Sequence, residues 1–152
     1  MGLDFSIYKK KKGADNTHWC DEDELCYGRK SWELVHILVP NYAEEYDTLL
    51  DPSRWEKLIK LMEPIGDKLN DIVAAYNIMY NLPEHFPEQV FTDKEQKLIA
   101  EYELWYNLTF QDDPTLGYDF SAGYMLDFWQ ARDIVRKYLQ DPDYEVYALV
   151  SY

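Results

Sequence analysis

Apolar and polar residues alternate at the start of the chain, with Leu3, Phe5 and Ile7 set against Asp4, Ser6 and Tyr8. A period of two predicts a strand with one apolar face. Residues 9–13 read as the solvated end of that strand or a turn, where lysines also discourage edge-to-edge pairing. Residues 15–23 are too polar for a helix core and read as loop; residues 24–27 suit a short second strand. From Arg29 the period lengthens. Trp32, Val35, His36 and Val39 fall on one helical stripe, which Pro40 ends.

Residues 42–50 predict another short helix with Tyr42, Tyr46 and Leu49 on one side. Asp51-Pro52 marks a helix start, a capping carboxylate followed by proline at the first helical position. Trp55, Leu58, Ile59 and Met62 follow on one face, until Pro64 and Gly66 are expected to break the helix. A further helix from about Asp67 carries Leu69, Ile72, Val73, Tyr76 and Tyr80. Residues 82–87 form a loop interrupted by two prolines. Thr92 and Glu95 fit a capping box ahead of a helix bearing Leu98, Tyr102, Trp105, Tyr106 and Phe110, ended by Asp112-Asp113-Pro114.

Residues 118–123 read as loop, with Ser121 capping a last long helix to about Leu139 whose buried side is Met125, Phe128, Trp129, Val135 and Tyr138. Residues 144–152 alternate again and form a final strand. The expected architecture is a single α+β domain over residues 1–152. A helical middle packs on a small antiparallel sheet formed by the N- and C-terminal strands, with residues 24–27 as a further strand.

Charge sharpens this picture. The net charge is −14, and no Lys or Arg occurs between Leu98 and Ala131, where Glu101, Glu103, Asp112, Asp113, Asp119 and Asp127 all lie. Direct nucleic-acid binding is disfavoured, because phosphate contacts need cations. A basic protein surface is the natural complement of such a field. No apolar run approaches the ~20 residues needed to cross a membrane, and no signal peptide is visible. The two cysteines make no disulfide framework, so a cytoplasmic protein is expected.

The segment from Glu24 to Val39 holds the tightest grouping of Arg, Lys, Cys and His. The opening Gly2-Leu3-Asp4, the alternating strand after it, and then Glu24, Leu25, Tyr27, Arg29, Lys30 and His36 resemble a family of small uncharacterised bacteriophage proteins. That family has an aromatic followed by Arg-Lys and a His on one helix, and an aromatic-rich closing strand similar to residues 144–152. Gly28 stands where the family tends to have Trp, and Trp32 where it tends to have a small polar residue. The resemblance implies a mobile-element origin and no particular reaction.

Two functional readings compete. In the first, Glu101, Asp112, Asp113 and Asp119 face the cations of a host protein, with Tyr106 and Tyr118 as anchors. The chain then acts as a phage-type inhibitor of a nucleic-acid enzyme or defence system. In the alternative, Arg29, Lys30 and His36 grip a small anionic ligand or act on it as an enzyme; the bland competitor is that Arg29 or Lys30 pairs with the acidic residues 21–24. A homodimer through an exposed strand edge is a third possibility. His18, Cys20, Cys26 and His36 lack the close ligand pairs of a zinc site, so no metal is expected. No cofactor is expected either, since there is no Gly-rich phosphate loop, nucleophile elbow or HExxH.

Overall fold

The computed structural model describes residues 3–14, 20–40, 47–81, 90–110 and 117–151. In chain order these form β1 (Asp4–Lys11), a single 3-10 turn (Asp21–Asp23), β2 (Glu24–Arg29), α1 (Trp32–Leu38), β3 (Asp47–Leu49), α2 (Pro52–Gly66) and α3 (Leu69–Asn81). α4 (Asp93–Phe110), α5 (Tyr118–Gln130), α6 (Arg132–Gln140) and β4 (Tyr144–Ser151) follow. The fold is α+β: a four-stranded antiparallel sheet in the order β2-β1-β4-β3, with helices between its strands in sequence. Two compact units are distinguishable, Met1–Leu61 with Asp127–Tyr152, and Met62–Leu126.

In the first unit the two ends of the chain pair along their whole length, from Asp4 opposite Ser151 to Lys11 opposite Tyr144. The period-two pattern puts Phe5 and Ile7 on one face with Val146, Ala148 and Val150, all buried. Phe128 closes over them, its ring 5.9 Å from Phe5 and 6.1 Å from Trp55. A Cβ built on Gly28 would lie 3.4 Å from Ser31 Oγ, 3.5 Å from Phe128 and 3.7 Å from Leu34, so this backbone is closely covered.

β1 is an inner strand, so its lysines do not guard an edge; residues 9–11 continue the ladder opposite Val146, Glu145 and Tyr144. Lys9 is half-buried, its ammonium 3.0 Å from Asp23 and above the rings of Tyr138 and Tyr144. That environment satisfies the charge, and the hydrogen bond the ammonium donates to Asp23 raises the lysine's pKa.

The helix expected over residues 42–50 is not formed at its described end. Asp47, Thr48 and Leu49 pair with Leu149, Ala148 and Tyr147, and Leu50 N–H reaches the Val146 carbonyl at 2.9 Å. The unpaired side of β4 offers hydrogen bonds that a short local helix cannot match. Residues 42–46, the rest of that expectation, lie outside the described residues.

Asp51 caps α2 as expected, accepting the N–H and hydroxyl of Ser53 at 2.9 and 2.8 Å. These bonds hold its carboxyl below the usual range, the backbone N–H contributing most. Pro64 does not break α2. It removes the bond to the Lys60 carbonyl, but both residues lie on the exposed side, and the helix ends two residues later at Gly66. Within the first unit, Arg136 on α6 grips both oxygens of Glu56 at 2.6 and 2.9 Å, and the Trp55 indole donates to the Arg132 carbonyl at 3.3 Å.

The second unit is built around aromatics. Tyr102 is fully buried, with Tyr76 at 6.3 Å, Trp105 at 5.8 Å and Tyr106 at 6.2 Å. Its hydroxyl shares a 2.6 Å hydrogen bond with Ser121. Residues 118–123, expected as loop, are therefore helical: Gly117 at φ +103° turns the chain, Ser121 N–H bonds the Gly117 carbonyl, and the Ser121 side chain faces the interior instead of capping. The long last helix is interrupted at Ala131, which separates α5 from α6.

Phe128 is the central plug of the first unit. Phe128→Ala is expected to destabilise the chain by about 3–5 kcal/mol, read as a lower urea midpoint; a loss under 1 kcal/mol, roughly that of an exposed site, would mean that Phe5 and Trp55 do not depend on it.

Candidate functional site

A cleft of about 390 Å³ opens in the first unit, lined by Glu24, Leu25, Cys26 and Tyr27 of β2 and by Asp127, Gln130, Ala131 and Ile134. The second group recurs at helical spacing across the α5–α6 junction, so one wall is a helix face and the other an edge strand. Both walls follow from local sequence. Leu25 to Gly28 carries no charge and no proline and pairs with β1, while Ala131, the junction residue, is small and buried.

The charged side chains lining this cleft are two carboxylates. Glu24 is held by the Tyr8 hydroxyl, which donates to Oε2 at 2.9 Å. Burial, and then the bond to Glu24, push the Tyr8 phenol up to about 12, so it stays protonated as a donor. Asp127 keeps an exposed edge, yet the cleft walls strip water from its carboxyl and raise its pKa by desolvation. Cys26 lies beside both. Burial foremost, with the charges of Asp127 and Glu24, pushes its thiol well above the ordinary value. Such a thiol is inert as a nucleophile at neutral pH. The arrangement can attract and hold a cation; it does not present an activated nucleophile.

Of the acidic patch expected on the two last helices, Glu101, Tyr106, Tyr118 and Asp119 fall among the described residues. Tyr106 is 2% exposed and packs against Phe110 and Tyr118, so it is a core residue and not an anchor. Glu101 is paired with Lys68. Tyr118 donates to Asn107 Oδ1 at 3.0 Å, and Asp119 sits half-buried in the first turn of α5. Asp112 and Asp113 lie outside the described residues.

Arg29, Lys30 and His36 line neither this cleft nor the cavity of the second unit beside Lys68, Lys97, Ala100, Glu101 and Leu104. Arg29 ends β2, exposed and 3.9 Å from Asp4; the expected pairing with residues 21–24 is taken by Lys9 instead. Lys30 follows in a left-handed turn at φ 52°, its N–H bonded to the Leu3 carbonyl at 2.8 Å. Neither cation is at the helix start, as α1 begins at Trp32. The buried stripe of α1 is Leu34, Val35 and Leu38, so His36 points to solvent, its ring 6.0 Å from that of Trp32. Of the cysteine and histidine set weighed for metal, Cys20 lies near Glu22 and Asp23, with Asp23 already held by Lys9. Cys26 is buried, and His18 lies outside the described residues.

The sequence counts Asp127 only among the acids of the lysine- and arginine-free stretch, and does not single out Gln130, Ala131 and Ile134. Their helical spacing is the only signal that marks them, and it carries meaning only once β2 is known to lie opposite. No family model, no curated protein and no solved structure matches the chain.

Because the Asp127 pKa is raised, the fold holds that proton more tightly than the unfolded chain does. The stability it contributes is present at low pH and is lost as pH rises through the raised value. Asp127→Asn is thus expected to melt above the parent at neutral pH, with the advantage gone in acid. A variant that melts at or below the parent temperature at neutral pH would contradict the desolvation.

Proposed function

We propose that this chain is a phage-type acidic accessory protein that binds a basic segment of a host protein, and that the contact is made in the β2/α5–α6 cleft. What supports this is a single feature: the charged side chains lining the cleft are Glu24 and Asp127, in a chain of net charge −14. A cationic side chain entering the cleft favours the charged form of the desolvated Asp127 carboxyl. The charge of the whole chain steers a basic partner towards it, more strongly at low salt. Inhibition of a nucleic-acid enzyme or defence complex is the consequence this reading carries if the captured segment belongs to a basic groove.

The test compares two charge-matched double variants, Glu24→Gln with Asp127→Asn, and Glu63→Gln with Asp71→Asn on exposed positions of the second unit. Fluorescence anisotropy with a labelled arginine-bearing peptide is expected to show a loss on the order of tenfold for the cleft pair and little change for the other. Equal losses for both pairs would reduce the binding to diffuse attraction and remove the cleft from the account.

A further inference from the structure

The cleft has the walls of a groove that receives an extended chain. β2 stands at one end of the order β2-β1-β4-β3, so no described strand pairs with its outer side. Alternate residues of an antiparallel strand turn their N–H and C=O groups away from the existing partner, and an edge strand presents these as a template. The other edge strand, β3, is only three residues long, and shortness is a common protection of edges. β2 has six residues and carries its charges only at the ends, Glu24 and Arg29. Its middle, Leu25 to Gly28, has no lysine and no proline to deter an added strand.

The geometry points to β2 as the docking edge for an extended segment of the partner, which adds as a further strand and places an Arg or Lys side chain between Glu24 and Asp127. This rests on the proposed binding of a basic segment and specifies how it is made. Backbone hydrogen bonds along the edge supply affinity, and the side-chain pocket supplies selectivity. Leu25 and Ile134 also line the cleft, the latter 38% exposed, and give the methylenes of a basic side chain an apolar surface while its head reaches the carboxylates. A second copy of the chain is the less favoured occupant. Two copies at −14 each repel, and β2 paired with β2 brings more carboxylates to a cleft that already concentrates them.

The experiment uses the full chain and a short synthetic peptide of alternating valine and threonine around one central arginine. It is compared with versions N-methylated on alternate backbone nitrogens along one edge or the other, and with a version carrying glutamine for arginine. Binding is measured by calorimetry, and β2 amides are followed by hydrogen exchange. Methylation of one edge is expected to weaken binding on the order of tenfold or more, methylation of the other edge to be tolerated, and β2 amides to exchange more slowly in the complex. If both methylated peptides bind like the parent while Asp127→Asn still weakens all three, strand addition is overturned and the basic-segment reading stands. If the glutamine peptide binds as well as the arginine peptide with the same β2 protection, strand addition stands and the basic-segment reading falls. Protection of β2 without peptide, rising with protein concentration alongside a dimer in light scattering, would overturn the partner segment in favour of a second copy. Failure of every peptide to bind overturns both.

Discussion

The pairing of the chain's two ends governs what the first unit can be. β1 and β4 run side by side from Asp4/Ser151 to Lys11/Tyr144, and the apolar face they create has to be covered. Phe128 and Trp55 cover it, so the helix bearing Phe128 must pass over β1 and Gly28. Once that helix is fixed, the residue before Phe128 and those a turn further along must lie near β2. The cleft is therefore a by-product of core packing: the plug that closes the sheet also lays Asp127, Gln130, Ala131 and Ile134 beside the edge strand.

Charge then decides what this cleft is suited to. A carboxylate on the exposed face of a helix ordinarily remains well hydrated, but Asp127 sits where a strand wall removes part of that water. Glu24 is fixed nearby by Tyr8 and cannot swing away without losing that bond. Desolvation of the charged Asp127 carboxylate opposes stability at neutral pH, and an added cation would offset it. The buried thiol of Cys26 completes the wall as a small apolar group.

Much of the fold was legible because it rests on periodicity. The alternation of Leu3, Phe5 and Ile7, the Asp51-Pro52 start and the stripe Trp55, Leu58, Ile59 and Met62 each carry their own signal, and each is realised. The failures share a cause: tertiary contacts outweighed local preference. Asp47 to Leu49 became a strand because β4 had hydrogen bonds to offer, and Ser121 became a core residue because Tyr102 needed a partner. His36 fell outside the buried stripe because Leu34 and Leu38 dominate a helix of seven residues. The site was less legible still. Composition shows the acidity, from which a basic partner is only an expectation, and Tyr106 looked like an anchor because aromatic periodicity cannot say which tyrosines are buried. Asp127 could not be told from its acidic neighbours until the strand opposite it was in place.

A carbon-13 NMR titration of the Asp127 carboxyl, alone and with an arginine-bearing peptide, reads its desolvation without recourse to activity. Titration above the ordinary aspartate range is expected in the free chain, with a move to lower pH when the peptide is bound. Ordinary titration that the peptide leaves unmoved would contradict that expectation.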